Sequence, residues 1–319
     1  MKGISWQVMA LSLSIGFTLA GCMKAYTPPP ETTTPTLPAK TPTVTPTFTP
    51  GRLATITITP APKPSPTELR PSPTPKPTPT PIKAMQGVTI TILYDNNPYA
   101  PGLKTAWGFS CLVEKGEEVV LFDTGGDAYI LLGNMQLLGI DPSRINAVVL
   151  SHIHGDHTGG LGGVLALNSR VTVFLPRSFP ESFKTRLRSQ VKVVEIGDPG
   201  EIMPGIYTTG EMGTSIREQG LVVDTPKGAV LITGCAHPGI VKMVEKAKQL
   251  RGEIYLVMGG FHLGGVSEAE IARIVSAFRR LDVKKVAPCH CSGDRARQAF
   301  KREYGADCIL AGVGSRLSF

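Results

Sequence analysis

About a quarter of the way along the chain, apolar and polar residues take up a spacing that is typical of β-strands. VTITILYDN (88–96) alternates, and GFSCLVE (108–114) and VVLFDTG (119–125) flank the turn KGEE, which predicts a hairpin. AYILLGNMQLLGI (128–140) spaces its apolar residues as a helix does. INAVVL (145–150) is a continuous apolar run, which predicts a buried strand.

Further along, the pattern predicts strands and helices in alternation. We expect a helix after Thr158, strands at 171–175, 191–197, 220–234 (a hairpin), 254–260 and 284–290, and helices at 240–250, 268–281 and 295–304. Strands first, followed by alternating helices and strands, favour a sandwich of two sheets with helices on the outside.

The first 85 residues do not have this pattern. Residues 1–22 combine Lys2, a short apolar core and the ending Leu-Ala-Gly-Cys, which resembles the lipobox of bacterial lipoproteins, in which the cysteine (here Cys22) is lipidated. An ordinary signal peptide with a chance cysteine is the alternative. Residues 23–85 hold 18 of the 28 prolines among many threonines, so we predict an extended, solvated tether. Its strand-like interruption at 52–58 has no neighbouring strand to pair with.

The net charge of +8 is concentrated in this N-terminal part. Residues 1–85 contain eight Lys/Arg and two Asp/Glu, so only +2 remains for residues 86–319. The basic composition therefore does not indicate a nucleic-acid partner. We predict three segments: a lipoprotein signal (1–22), a disordered tether (23–85) and a folded domain (86–319). This places the protein outside the cytoplasm, attached to the membrane through Cys22.

All the histidines of the chain fall at the ends of predicted strands or in the loops directly after them. Three lie in SHIHGDHTGG (151–160), and the full set is His152, His154, His157, His237, His262 and His290. Neutral imidazoles that converge with a carboxylate form a transition-metal site. The neighbouring glycines allow the loop to turn sharply.

The six residues from His152 to His157 resemble the His-x-His-x-Asp-His signature of the metallo-β-lactamase superfamily. Asp123 in LFDTGG resembles the aspartate that follows the early hairpin of these proteins, and the resemblance covers residues 86–319. It implies an α+β fold, an αββα sandwich with metals at one edge of the two sheets, and metal-dependent hydrolase activity.

Three further motifs resemble a subgroup, the dihydropterin-ribofuranosylaminobenzene-phosphate synthase-like hydrolases. They are GCAHPGI (234–240), GGFHL (259–263) and PCHCSG (288–293). The subgroup name refers to a cytoplasmic step in the synthesis of a methanopterin-type cofactor, which an exported lipoprotein would hardly serve. We therefore take the fold and the metal chemistry from this resemblance, but not the substrate.

The resemblance also implies the ligands of two divalent cations, zinc first, with manganese, iron or cobalt as alternatives. One cation would be held by His152, His154 and His237, and the second by Asp156, His157 and His290. A bridging hydroxide would be the nucleophile, which Asp156 could orient. Asp123 would accept a hydrogen bond from a ligand imidazole.

The chain departs from the superfamily at Cys235, where most members carry a metal-bridging aspartate. Either the Cys235 thiolate joins the metals, or it lies beside them, which we favour. His237 would replace an imidazole missing near TTGE (208–211), where Glu211 is an alternative ligand but is favoured as a surface or supporting acid. For His262 we favour a role as general acid or in substrate binding, with a ligand or structural role as alternatives.

The remaining cysteines call for a structural interpretation. Cys289 and Cys291 flank His290 on a predicted strand, so both should face away from it as small buried residues that are not ligands. A disulfide between them is unfavourable geometrically.

Three functions remain open. We favour hydrolysis of a phosphoester or phosphodiester. The alternatives are hydrolysis of a small-molecule lactone, ester or amide, and a non-catalytic binding module that contains metal.

Overall fold

The structure is a computed structural model in which residues 87–319 are described. The predicted lipoprotein signal, Cys22, the tether and the strand-like segment 52–58 lie outside the described residues and stay predictions. Within residues 87–319, no helix is both long and apolar enough to cross a membrane.

The described residues form strands and helices that alternate along most of the chain. The strands are β1 (Val88–Tyr94), β2 (Ser110–Lys115), β3 (Glu118–Phe122), β4 (Ala147–Val149), β5 (Thr172–Pro176), β6 (Lys192–Ile196), β7 (Gly200–Met203), β8 (Ile206–Thr208), β9 (Leu221–Thr225), β10 (Gly228–Thr233), β11 (Ile254–Gly260), β12 (Lys285–Cys289) and β13 (Arg316–Ser318). The helices are α1 (Ala128–Leu137), α2 (Gly155–Thr158), α3 (Leu161–Leu167), α4 (Glu181–Arg188), α5 (Ile240–Arg251), α6 (Glu268–Arg280) and α7 (Asp294–Tyr304).

The strands form two mixed sheets. One has the order β13-β1-β2-β3-β4-β5-β6, and the other has the order β12-β11-β10-β9-β8-β7. Strands β3 to β6 are parallel, as are β10 to β12. The carboxyl ends of parallel strands lie at the same edge of a sheet, which is where open α/β sheets place their sites.

The continuous apolar strands are explained by burial on both faces. In β3, Val120 and Phe122 pack between the two sheets, whereas Val119 and Leu121 pack against α1, α3 and α4. In β10, Val230 and Ile232 join the same inter-sheet core, and Leu231 faces α5, α6 and α7. The layers are therefore αββα, and the predicted α+β sandwich is confirmed.

Some elements were not predicted, namely α4, β7, β8 and β13. The three strands are three or four residues long, too short to show alternation, and helix α4 (ESFKTRLR) buries only Lys184 and Leu187. The helix expected after Thr158 is present as α3, which begins at Leu161, whereas the single turn of α2 before it was not predicted. Between the two helices, Gly160 packs against the backbone of Thr124, two residues after β3. A Cβ on Gly160 would lie 2.1 Å from the Thr124 carbonyl oxygen, so a larger residue does not fit there.

The strand predicted at 284–290 ends one residue early, and this overturns the prediction for the cysteines beside His290. His290 has a φ of +48° and begins a 3₁₀ turn that runs to Ser292. The strand alternation is therefore broken, and Cys289 and Cys291 do not share a face. Cys289 packs between the sheets, whereas Cys291 Sγ lies 3.7 Å from the carbonyl oxygen of Cys235. Both are buried, as expected.

Candidate metal centre

The first ligand loop, residues 151–157, joins β4 to the single turn of α2. The His152 Nε2 and His154 Nδ1 atoms lie 3.1 Å apart. Asp156 and His157 follow within the single turn of α2, where Asp156 Oδ2 lies 3.6 Å from His157 Nε2. Four potential ligands thus come from six consecutive residues.

Asp123, directly after β3, holds this loop through one backbone amide and two side chains. It is fully buried and accepts hydrogen bonds from the Ser151 amide (2.6 Å) and the Ser151 hydroxyl (2.7 Å). Its Oδ2 also lies 2.7 Å from His157 Nδ1. The predicted contact between Asp123 and a ligand imidazole is therefore present in the structure.

The second ligand loop, residues 234–237, follows β10 and contains Cys235 and His237. The buried carboxylate of Glu218 accepts four hydrogen bonds from its backbone, from the amides of Gly234 (3.1 Å), Cys235 (2.9 Å), Ala236 (2.9 Å) and His237 (2.8 Å). The sequence interpretation missed Glu218. A single acid in the polar segment before β9 has no periodic or motif signal.

His290 is held by the segment directly after β1. The Asp95 carboxylate accepts a hydrogen bond from the His290 amide (3.1 Å), and Asn96 Oδ1 lies 3.1 Å from His290 Nδ1. Neither residue was predicted as part of the site, although both lie in the segment VTITILYDN (88–96).

The predicted ligands converge in two groups, in each of which the donor atoms lie within 4.8 Å of one another. The first group is His152, His154 and His237, and the second is Asp156, His157 and His290. In the second group, Asp156 Oδ2 lies 3.5 Å from His290 Nε2. The six predicted ligand side chains are therefore brought together, but three further groups that contain Cys235 meet the same distance limit, with His152 and His157, with His237 and His262, and with His290 and Cys291.

The hydrogen-bond network fits metal ligation. The Nδ1 atoms of His152, His157 and His290 face Ser151 Oγ, Asp123 and Asn96, so that each Nε2 can offer its lone pair to a cation. The Nε2 atoms of His237 and His290 are buried and have no hydrogen-bond partner among the described residues. Buried polar atoms without partners are rare, so these two nitrogens call for a cation.

Burial and charge act differently on the individual ligands. Burial and the surrounding imidazoles lower the pKa of His152 far below its usual value. Burial lowers the pKa of His157, but the carboxylates of Asp123, Asp156 and Glu218 together raise it above its usual value. Burial would raise the pKa of Asp156, whereas the neighbouring imidazoles of His290 and His157 lower it to about 2. Asp156 is thus an anion at neutral pH.

Cys235 lies between the two ligand groups, with its Sγ 3.3 Å from His157 Nε2. Cys291 lies on its other side and contacts both Cys235 and His262. The contact with Cys291 raises the pKa of His262, which is exposed and whose ring centroid lies 4.3 Å from that of His237. Whether Cys235 is a ligand and His262 an acid stays a prediction.

Backbone strain is concentrated at the site. Five non-glycine residues among those described have positive φ, and four of them are Asp123, Ala236, His262 and His290. Such strain is typical of functional sites. Glu211 belongs to neither group: it accepts a hydrogen bond from the Ser178 amide and pairs with Arg217.

Comparison with known proteins supports this picture. The family model of the Metallo-beta-lactamase superfamily matches residues 108–290. The 7,8-dihydropterin-6-methyl-4-(beta-D-ribofuranosyl)-aminobenzene-5'-phosphate synthase of Methanocaldococcus jannaschii is 32% identical over 280 residues, covering 72% of this chain and 95% of its own. The Ribonuclease Z of Nanoarchaeum equitans is 34% identical over 147 residues, covering 40% of this chain and 46% of its own.

A solved structure of similar sequence has the same fold. It is described as a metal-dependent hydrolase of the beta-lactamase superfamily, with 31% sequence identity and a TM-score of 0.61. The match covers 72% of this chain and 98% of the other.

Proposed function

Because the chain belongs to the metallo-beta-lactamase superfamily and is a metal-dependent hydrolase, we propose that it hydrolyses a phosphoester or phosphodiester at two divalent cations. One observation carries the proposal. Two donor groups meet at one edge of the sandwich, and buried imidazole nitrogens without partners are directed into them.

The donor sets are suited to two similar cations. His152, His154 and His237 would hold one, and Asp156, His157 and His290 would hold the other. Nitrogen and carboxylate donors of this kind suit zinc, and also manganese, iron and cobalt. Such a cation pair supplies a nucleophile at neutral pH by lowering the pKa of water, and it offsets the charge that builds up on the attacked group.

The side chains of the protein supply positioning and a proton. Asp156, an anion between His157 and His290, can orient a water molecule for attack. His262 is exposed beside His237, and its raised pKa keeps it protonated to a higher pH than usual. It is therefore suited to protonate the departing oxygen, provided that the substrate places this oxygen within hydrogen-bond reach.

The relatives favour phosphorus over carbon as the attacked atom. A ribonuclease cuts phosphodiester linkages, and Ribonuclease Z is 34% identical over its matched part. We propose a small-molecule substrate, since residues 86–319 carry a net charge of only +2, which is little for an RNA-binding surface. The name of the synthase does not supply the substrate, because the predicted export would separate the protein from a cytoplasmic pathway.

The test combines elemental analysis of the full chain with a substrate screen. We expect two metal equivalents and turnover of bis(p-nitrophenyl) phosphate, with little turnover of a lactone and amide panel or of a short RNA. Preference for lactones would assign the alternative hydrolase activity, and preference for RNA would overturn the small-molecule proposal. Two bound metals without any turnover would favour the binding module.

We also propose that the protein is attached to the outer face of a membrane through lipidated Cys22. The support is the signal-like segment 1–22 and the tether 23–85. Expression in a bacterium with radiolabelled palmitate should label the full chain but not Cys22→Ser. Equal label in both, or none in the full chain, would contradict the proposal.

A further inference from the structure

An exposed tryptophan borders the candidate centre. Trp107 lies in the connection between β1 and β2 with 60% of its surface exposed, and its ring centroid is 4.9 Å from that of His290 at an interplanar angle of 53°. Single exposed apolar residues are common on protein surfaces. This indole, however, packs on a predicted metal ligand.

The backbone on both sides of Trp107 is tied to residues of the site. The Phe109 amide donates a hydrogen bond to the Asp156 carbonyl (3.2 Å), and the Ala106 amide donates to the Asp95 carbonyl (3.3 Å). Asp95 also accepts the hydrogen bond of the His290 amide. The position of Trp107 is therefore coupled to both Asp156 and His290.

Gly108 makes this close approach possible. Its φ is +139°, and a Cβ at this position would lie 2.4 Å from the Asp156 carbonyl oxygen and 3.0 Å from the ring of Tyr94. Only glycine fits there, because the connection presses directly on the first ligand loop. The chain thus holds an indole at the rim of the centre instead of burying it.

From this arrangement we propose that Trp107 forms a binding subsite for a planar aromatic or heteroaromatic ring of the substrate, beside the atom that is attacked. The proposal rests on the proposed phosphoester chemistry and names its substrate class: phosphoesters that carry an aryl group or a nucleobase. An indole offers a large rigid face for stacking at low entropic cost. Because Trp107 contacts His290, a substrate ring stacked on it would lie beside the second donor group.

The chain offers a direct spectroscopic test, because it contains two tryptophans, Trp6 and Trp107. In the full chain with Trp6→Phe, Trp107 is the only indole. Adenosine 5'-monophosphate should quench its fluorescence saturably, whereas ribose 5-phosphate, which has the same sugar and phosphate but no base, should not.

Calorimetry then measures the contribution of the ring to binding. We expect Trp107→Ala to weaken the binding of adenosine 5'-monophosphate by roughly tenfold to a hundredfold. The affinity for ribose 5-phosphate should not change. Trp107→Phe should recover part of the loss. Tyr129→Ala, which removes an aromatic residue that is 74% exposed, is the matched control and should change neither affinity.

Equal affinity for both compounds, or the same affinity before and after Trp107→Ala, would overturn the subsite. The binding measurements require no turnover, so they are separate from the test of the reaction. Base-dependent quenching without phosphoester hydrolysis would leave the subsite standing and reject the proposed reaction. Hydrolysis that is equally fast for aryl and alkyl phosphoesters, and unaffected by Trp107→Ala, would support the proposed reaction and reject the subsite.

Discussion

The two ligand loops are both held by a buried carboxylate, but the carboxylate acts on different parts of each loop. In the first ligand loop, Asp123 contacts the Ser151 amide and the side chains of Ser151 and His157. In the second ligand loop, Glu218 contacts only the backbone, through four amides. The first arrangement orients individual imidazoles, and the second fixes the path of the chain from which one imidazole projects.

This difference predicts which changes will act locally. Asp123 is linked to both donor groups, because Ser151 Oγ also contacts His152 Nδ1. The hydrogen bonds of the Glu218 carboxylate go to the loop that carries Cys235 and His237. Damage at Asp123 should therefore reach both cations, whereas damage at Glu218 should fall mainly on the group that contains His237.

The largest effect is expected within the first ligand loop itself. Asp156→Ala should lower turnover by on the order of 10³-fold, because it removes an anionic ligand and the group that orients the nucleophile. His154→Ala should lower turnover to a similar extent, because it removes a ligand from the other donor group. Both side chains are partly exposed, so the proteins should unfold near the wild-type temperature in calorimetry.

Glu117→Ala provides the matched control, since Glu117 is an exposed acid in the turn between β2 and β3. It should leave turnover unchanged. Wild-type activity in either loop variant would remove the first ligand loop from the centre and end the comparison.

The next effect separates the two carboxylates. In Glu218→Gln, an NH₂ group replaces one acceptor and faces backbone donors, so the second ligand loop should shift. In Glu218→Gln, we expect the affinity for one of the two metal equivalents to fall about 10- to 100-fold. In Asp123→Asn, we expect the affinity for both equivalents to fall by a similar factor. Titration with a competing chelator, with two equivalents resolved, measures this.

If both variants lose affinity for the two metal equivalents by the same factors, the two carboxylates do not act on different donor groups. Because either variant could be less stable, the chelator titration is run beside thermal unfolding. A variant that is folded at the titration temperature and keeps both equivalents at wild-type affinity would show that its carboxylate is not needed for ligation.

A smaller effect is expected at Cys235, where the loops meet. Cys235→Ser replaces a buried sulfur 3.3 Å from His157 Nε2. If the thiol lies beside the cations, as we favour, the variant should keep two metal equivalents and lose less than about tenfold in turnover. Cys308→Ser, which also changes a buried thiol, controls for the polar substitution. Loss of one metal in Cys235→Ser alone would make the thiolate a ligand.

The contrast between the loops also explains what could be predicted from the sequence. The first ligand loop places four ligands in six residues, and that density is visible without a structure. His237 and His290 were found because strands end beside them and their motifs are distinctive. Long apolar runs such as β3 and β10 likewise revealed the sandwich, because both faces of each strand are buried.

Glu218, Asp95 and Asn96 could not be found in this way. Each acts on a residue that is distant in the chain: Glu218 on amides 16 to 19 residues away, and Asp95 and Asn96 on His290, 194 or 195 residues away. Such pairings depend on the strand order, which periodicity does not encode. Periodicity also failed to predict the positive φ of His290, which places Cys291 on a different face from the one expected.

The last prediction concerns the titration of the two loops in metal-free protein. Asp123 raises the pKa of His157, whereas burial, followed by the nearby His262 and His154, lowers the pKa of His237 from 6.5 to about 4. A histidine with a lowered pKa stabilises the fold above its unfolded pKa, and this contribution is lost as the pH falls from 6.5 towards 4. A histidine with a raised pKa contributes below 6.5 instead, and its contribution is lost as the pH rises through the raised value. Acidification below pH 6.5 should therefore remove the contribution of His237 in the second ligand loop, and that of His152 in the first, while His157 keeps its own.

Nuclear magnetic resonance of the imidazoles should show His157 still protonated at a pH where His237 is neutral. Thermal unfolding measured from pH 7 to pH 4 should fall less steeply in His237→Gln than in the wild type, because this variant has no imidazole to protonate in that loop. Arg186→Gln, which changes an exposed charge on α4, should keep the wild-type slope. If His157 and His237 titrate together near 6.5, the electrostatic difference between the loops is absent, and their different anchoring by Asp123 and Glu218 has no effect on protonation.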